Sequence, residues 1–150
     1  MISLLRTASS STDFSTLVKM LDIDLAEKDG EDHDFYHKYN QLDDIKHVVM
    51  AYLQDQPVGC GAFKPYNQDT IEIKRMFTLP EARGQGVAEK VLLELEAWAK
   101  ENGYKRSVLE TGKKMEAAIR LYQRSGYQSI PNYGPYVGME ASVCFEKVLK

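Results

Sequence analysis

The chain contains few cysteines, no long apolar run and no cluster of basic residues, and each absence excludes a class of protein. Its two cysteines, Cys60 and Cys144, each lie in an apolar segment typical of a buried strand, so we expect reduced core thiols rather than a disulfide framework. No segment is long and apolar enough to cross a bilayer, and residues 1–11 lack the apolar core of a secretion signal. We therefore expect a soluble cytoplasmic protein.

Charge and composition favour one small enzyme domain and argue against nucleic acid as its main partner. The formal net charge is −3, and the 19 basic side chains are scattered, so they form no basic stripe. With 43% hydrophobic and 27% charged residues, a chain of 150 residues can bury one substantial core. We expect residues 1–150 to form a single domain.

The histidines do not form a metal-binding motif. His33 and His37 stand four residues apart and could share one helix face, but Asp34 occupies the place of the glutamate in the zinc-protease pattern. A third ligand is not evident in the sequence. We expect no metal site.

A glycine-rich turn, residues 80–88 with the sequence PEARGQGVA, lies between a predicted strand and a predicted helix. The strand, residues 70–78, is rich in β-branched and aromatic residues. Gly84 and Gly86 remove the Cβ atoms that would keep a ligand off the main chain, and the N-terminus of a helix favours negative charge. Arg83 adds a forked donor suited to phosphate oxygens. The helix is indicated by apolar residues at spacings of three and four: Ala88, Val91, Leu92, Leu95, Trp98 and Ala99.

Other phosphate-binding motifs fit this turn less well. The dinucleotide fingerprint requires a third glycine where this chain has Glu89, and the Gly-Lys-Ser/Thr of a P-loop is absent. A tight connection without any ligand remains the alternative for an isolated Gly-x-Gly.

Residues 83–88, with the sequence RGQGVA, resemble the Arg/Gln-x-x-Gly-x-Gly/Ala signature of the GNAT superfamily of acyl-CoA-dependent N-acyltransferases. Residues 72–80 resemble the fourth strand of that family and its exit, and residues 118–127 resemble its Ala-x-x-Leu-Tyr-x-x-x-Gly-Phe/Tyr segment. The three blocks occur in the order of the family, and the resemblance covers about residues 46–130. It implies an α+β fold with three α/β/α layers, in which a mixed, mostly antiparallel sheet of about seven strands carries about four helices.

The fourth strand carries an irregularity that matters for the cofactor. Polar and apolar residues alternate from residue 70 to residue 74, but Met76 and Phe77 break that alternation, as the extra residue of a bulge would. The resemblance implies that this strand splays from the next one and that the pantetheine arm of acetyl-CoA lies between them. The implied cofactor-binding residues are Met76, Phe77, Thr78, Arg83, Gly84, Gln85, Gly86, Val87, Ala88 and Tyr122.

The resemblance also implies the chemistry, which is direct attack of an amine on the acetyl-CoA thioester without a covalent enzyme intermediate. Glu72 is the candidate general base, and its alternative is an ordinary solvent-facing strand carboxylate. Tyr122 is the candidate that protonates the departing thiolate, and its alternative is a packing tyrosine. Where the family often has an asparagine that holds the cofactor arm, this chain has Met115.

The acceptor is expected on the side opposite the cofactor, and a small-molecule or amino-acid-like amine is the favoured class. A protein lysine or N-terminus is the alternative acceptor, and a non-catalytic acyl-CoA-binding sensor is the alternative function. Pairing of the last strands makes a homodimer possible. The expected acceptor-binding residues are Phe35, Tyr36, Tyr39, Asn40, Tyr133 and Tyr136.

Overall fold

The computed structural model describes residues 1–29 and 45–150. Short 3-10 turns lie at Pro80–Ala82 and Gly134–Tyr136. The segment of residues 31–40, expected as a short helix or a loop, lies outside the described residues. The strands and helices are β1 (Ile2–Thr7), α1 (Thr12–Asp29), β2 (His47–Leu53), β3 (Gln56–Pro65), β4 (Thr70–Thr78), α2 (Val87–Glu101), β5 (Arg106–Gly112), α3 (Glu116–Arg124), β6 (Gln128–Ile130) and β7 (Ser142–Val148).

The seven strands form one mixed sheet with the order β1-β2-β3-β4-β5-β7-β6. Neighbouring strands are antiparallel except for β4 and β5, which are parallel. One apolar core joins one face of the sheet to α2 and α3, and a second joins the opposite face to α1. The predicted three-layer α+β fold is confirmed, with three α-helices in the described residues where about four were expected.

Helix α1 begins at Thr12, so its cap precedes both residues that the sequence offers for that role. Thr12 or Asp13 was expected to cap it, but the Phe14 amide donates to Ser11 Oγ at 3.3 Å, so Ser11 is the cap. Asp13 instead accepts a hydrogen bond from the Tyr52 hydroxyl at 2.8 Å and ties the first turn of the helix to β2.

Helix α2 packs as its apolar spacing predicted. Val91, Leu92, Leu95 and Ala99 are buried against the sheet, each at 1% exposure or less. Burial of a side chain the size of leucine contributes about 1.5–3 kcal/mol, so this face holds the helix on the sheet and orients the glycine turn at its N-terminus.

Strands β4 and β5 part after three residue pairs. Their parallel register runs from Thr70 opposite Arg106 to Glu72 opposite Val108. Beyond that point β5 remains paired with β7 as far as Gly112. The expected splay between the two strands is therefore present, and it opens the middle of the sheet.

The bulge predicted in β4 is also present, one residue earlier than the broken alternation suggested. Phe77 lies opposite Cys60 and Lys74 lies opposite Ala62, so Arg75 and Met76 share one position on β3. Arg75 has a φ of 60°, which is rare for a residue other than glycine. Its Nη1 contacts Asp22 Oδ1 on α1 at 2.8 Å, an ion pair that holds the strained residue against the helix.

Gly61 on β3 permits this bulge to pack. A Cβ atom there would collide with Met76 Sδ and would lie 2.8 Å from Val91 Cγ1 on α2. A side chain at this position would separate α2 from the sheet.

Both cysteines are buried free thiols, as expected. Burial raises the pKa of the Cys60 thiol to about 12, which keeps the thiol protonated. Within residues 1–29 and 45–150, no helix has the length and apolar character that a bilayer crossing requires.

Acidification should destabilise the fold through His47. Its ring stacks on Phe63 at 4.5 Å and meets the edge of Trp98 at 4.7 Å, and burial, with a smaller effect of Lys46, lowers its pKa below 6.5. A lowered folded-state pKa stabilises the protein above the unfolded pKa, and that stability is lost as the pH falls through the folded pKa. We expect the free energy of unfolding of wild type to fall more steeply below pH 6.5 than that of His47→Phe, in urea titrations over a pH series. Parallel curves for the two proteins would contradict this role.

Candidate active site

The turn before α2 exposes its main chain. Gly84 and Gly86 have φ values of 81° and 80°, and a Cβ atom built on either one meets nothing within 4 Å. The first intrahelical bond runs from the Lys90 amide to the Gly86 carbonyl at 3.1 Å, so the amides of residues 87–89 precede the ladder of the helix. The turn is therefore open around both glycines and precedes the unpaired amides of the first helical turn, an arrangement that suits an anion.

Arg83 is tied to the end of β4. Its Nε donates to the Thr78 carbonyl at 3.1 Å, and its guanidinium lies 6.0 Å from the centre of the Phe77 ring. That bond uses one of the five N–H donors of the guanidinium. A cofactor arm bonded to the main chain at Thr78 would share this carbonyl with Arg83.

A cavity of about 120 Å³ lies where β4 and β5 separate, and residues from both faces of the sheet line it. Tyr122 and Ala118 of α3 line it from one face, and Leu21 of α1 lines it from the other. Three residues predicted separately, Met76, Tyr122 and Tyr136, meet at this cavity. Met115 lines it too, at the position where the family often has an asparagine.

Tyr122 both packs in the core and lines the cavity. Its side chain is buried, and its ring lies 5.8 Å from that of Tyr127 and 6.4 Å from that of Phe145. Burial, with a smaller effect of Glu110, raises the pKa of the Tyr122 phenol well above its usual value of 10. The phenol is therefore protonated over the whole physiological range and available as a donor.

A buried polar network holds the neighbour of Tyr122 in place. The Tyr127 hydroxyl donates to Glu96 Oε2 at 3.0 Å and accepts from Ser107 Oγ at 2.8 Å. Lys147 Nζ lies 2.8 Å from Glu96 Oε1 and pairs the buried carboxylate. The network links α2, β5 and β7 through the hydroxyl of Tyr127, whose ring packs on Tyr122.

Glu72 is buried, whereas the alternative to a general base placed it on the solvent face of the strand. Its Oε2 accepts a hydrogen bond from the Tyr133 hydroxyl at 2.6 Å, and its Oε1 lies 3.6 Å from Lys74 Nζ. Lys74, rather than Glu72, lines the cavity. Proton removal by Glu72 would therefore run through Tyr133, Lys74 or a water molecule.

The two loop tyrosines predicted to contact the acceptor lie against these charged groups. Lys74 Nζ donates to the Tyr136 hydroxyl at 3.1 Å, and the Tyr133 and Tyr136 rings meet edge to face at 5.7 Å. Burial, followed by the nearby Glu72 carboxylate, raises the pKa of Tyr133 far above its usual value. The structure thus brings the candidate base and part of the predicted acceptor site together. The other four predicted acceptor residues, Phe35, Tyr36, Tyr39 and Asn40, lie outside the described residues.

Sequence reasoning missed two residues of this site, Lys74 and Asn132. Lys74 lies two residues after Glu72 on β4 and therefore on the same face of the strand, a signal that could have identified it from the sequence. Asn132 Nδ2 lies within 3.2 Å of three main-chain carbonyls, those of Tyr136, Met139 and Ser142. It therefore ties together the loop that carries both tyrosines.

A known family matches this sequence across most of its length. The model for the Acetyltransferase (GNAT) family matches residues 15–127. This chain belongs to the GNAT acetyltransferase family.

Relatives and solved structures agree with membership in the GNAT family. The chain is 34% identical over 100 residues to the uncharacterized N-acetyltransferase YjgM of Escherichia coli (strain K12), a match that covers 65% of this chain and 59% of that protein. A crystal structure from Klebsiella pneumoniae, assigned as an acyl-CoA N-acyltransferase, shares 31% identity with a TM-score of 0.83 and covers 100% of this chain and 99% of that one. A GNAT family acetyltransferase from Elizabethkingia anophelis with acetyl-CoA bound shares the fold, with a TM-score of 0.68 at 17% identity over 99% of this chain and 98% of that one.

Gly86→Ala should weaken coenzyme A binding to this GNAT protein because its methyl group would keep a phosphate from the main chain of the turn. Loss of one or two charge-assisted hydrogen bonds costs about 1.5–3 kcal/mol each, so we expect affinity to fall about 10-fold or more in calorimetric titrations. Gly103→Ala is the matched control, since Gly103 has a φ of 90°, has nothing within 4 Å of its built Cβ, and lies beyond the other end of α2. Equal affinities in the two variants would rule out the turn as the binding site.

Asn132→Asp should destabilise the loop that carries the two tyrosines. The substitution keeps the shape of the side chain but replaces the donor that faces three carbonyls with an acceptor, at a cost of about 1–3 kcal/mol. Asn67→Asp is the control, because Asn67 uses its Oδ1 to accept from the Asp69 amide, and a carboxylate preserves that bond. We expect urea unfolding to show the loss for Asn132→Asp and a change within about 0.5 kcal/mol for Asn67→Asp.

Proposed function

We propose that this GNAT protein is an N-acetyltransferase that moves the acetyl group of acetyl-CoA to a primary amine, on a small-molecule or amino-acid-like acceptor. One observation carries the proposal. The gap between β4 and β5 is lined by a buried, protonated Tyr122 on one face and opens between charged and aromatic groups on the other. A cavity lined from both faces of the sheet would let a thioester and an amine meet from opposite sides, which is the requirement of direct transfer in a ternary complex.

The residues present fit acetyl-CoA. The open amides of residues 85–88 would hold the pyrophosphate, and the main chain of residues 76–78, which lies beyond the point where β4 parts from β5, would bond the pantetheine arm. Bound there, acetyl-CoA supplies an activated acetyl group. The remaining chemistry depends on side chains of this chain.

Two side chains would transfer protons, one from the acceptor amine and one to the departing thiolate. An ammonium group cannot attack a thioester, so the Glu72 carboxylate would take a proton from the acceptor, through Tyr133 or a water molecule. The Tyr122 hydroxyl would donate to the sulfur as negative charge develops on the departing thiolate. Its raised pKa keeps that donor protonated at every working pH.

A non-catalytic acyl-CoA-binding sensor is the second candidate, and the engagement of Glu72 with Tyr133 and Lys74 is the observation that favours it. The distinguishing experiment offers acetyl-CoA and a panel of primary amines to the protein and detects the released thiol. Transfer to any amine above the rate without enzyme supports the enzyme. Coenzyme A binding without transfer across the panel supports the sensor.

Tyr122→Phe should lower kcat by about 10²-fold, the usual scale for a lost general acid, and leave acetyl-CoA affinity nearly unchanged. The ring still packs on Tyr127 and Phe145, so the fold should be retained. Tyr104→Phe is the control for loss of a phenol elsewhere, since the Tyr104 ring packs on Phe63 at 6.2 Å, away from the cavity. Steady-state kinetics checks both variants, and an unchanged kcat in Tyr122→Phe would remove Tyr122 from this role.

A further inference from the structure

Lys74 lines the cavity and carries a primary amine. It lies on β4 where that strand leaves β5, and its side chain is 11% exposed. Its Nζ donates to the Tyr136 hydroxyl at 3.1 Å and lies 3.6 Å from Glu72 Oε1. The chain therefore holds a built-in amine next to the candidate base.

The path expected for the cofactor leads toward this amine. The pyrophosphate turn follows the C-terminal end of β4, and the main chain of residues 76–78 is the expected contact of the pantetheine arm. An arm that runs back along β4 carries its thioester toward Lys74 and toward the point where β4 meets β5. Tyr122, the proposed partner of the sulfur, and Lys74 line the same cavity of about 120 Å³.

Lys74 also approaches the cavity from the side of the acceptor. It pairs with Ala62, which packs in the core beneath α1, whereas Tyr122 belongs to the core of the opposite face. The Lys74 amine and an external amine would therefore reach the thioester from the same face of the sheet.

We propose that Lys74 is a self-acetylation site, which takes the acetyl group of bound acetyl-CoA when no acceptor amine occupies the cavity. The proposal rests on the acetyltransferase function proposed above. The Lys74 ammonium first gives one proton to the Glu72 carboxylate, and the freed lone pair attacks the carbonyl carbon of the thioester. The N–C bond forms and the C–S bond breaks, and the second proton of the nitrogen goes to the thiolate. The products are Nε-acetyl-Lys74 and the free thiol of coenzyme A.

The environment of Lys74 favours its neutral, nucleophilic form. Burial lowers the pKa of its ammonium group, while the Glu72 carboxylate opposes that shift. Desolvation activates lysine nucleophiles in this way.

Acetylation would block the acceptor side of the cavity. The modified side chain is larger and has lost its charge, so it fills space that an amine needs and leaves Glu72 without its cationic neighbour. Wild type incubated beforehand with acetyl-CoA should therefore transfer more slowly to an external amine.

The test is site-resolved peptide mass spectrometry of the whole chain after incubation with acetyl-CoA in the absence of acceptor. Solvent exposure alone predicts that the exposed lysines Lys90, Lys113 and Lys114 react before Lys74. Because the site would hold amine and thioester together, we expect Lys74 to gain acetyl at least about 10-fold faster than these three.

Three variants distinguish acetylation of Lys74 by bound acetyl-CoA from acetylation by acetyl-CoA free in solution. Gly86→Ala, which weakens coenzyme A binding, should slow acetylation of Lys74 and leave the exposed lysines unchanged. Glu72→Gln should slow it as well, through loss of the proton acceptor. Lys74→Arg should abolish the modification at this position, because a guanidinium stays charged and does not attack.

The outcomes distinguish this proposal from the proposed function. If Lys74 reacts no faster than the exposed lysines, while coenzyme A binds and external amines are acetylated, self-acetylation is wrong and the acetyltransferase function stands. If calorimetry detects no coenzyme A binding, both proposals fail. Selective modification of Lys74 that Gly86→Ala does not slow would also overturn the proposal.

Discussion

The parting of β4 from β5 after Glu72 is the constraint on which the rest of this protein depends. Each strand keeps its outer neighbour, so β3 and β7 hold the two halves of the sheet while the middle opens. A strand that loses a neighbour leaves main-chain donors and acceptors that must find other partners. An acyl-CoA arm is the kind of ligand that such an edge can bind, because its amide groups can pair with a strand.

The bulge at Arg75 and the close packing of Gly61 lie next to that opening. With two residues of β4 opposite Gly61, the strand bends, and Lys74 and Arg75 both turn toward the face that carries α1. Arg75 has a positive φ at the bulge, and its side chain forms an ion pair with Asp22. Such strain persists only where the surroundings over-determine it, as they do at functional sites.

Charge in the opening is balanced within the protein. Glu72 is bonded to Tyr133, Lys74 is bonded to Tyr136, and the two charges face each other at 3.6 Å. Buried charges of this kind must be paired, so the loop that supplies the tyrosines is part of the site and Asn132 is part of its support. These charged groups are thereby held in place by the protein itself.

The sequence by itself determined the local features of this protein. Apolar spacing specified α2, glycines specified the open turn before it, and a break in alternation specified the bulge in β4, because each pattern depends on neighbours within a few residues. Only the tertiary structure decided that Ser11 rather than Thr12 caps α1, that Glu72 is buried, and that Asn132 supports the loop beside the site. Glu72 bonds to Tyr133, 61 residues further along the chain, and Lys74 bonds to Tyr136, 62 residues further along. No local pattern encodes such a pairing.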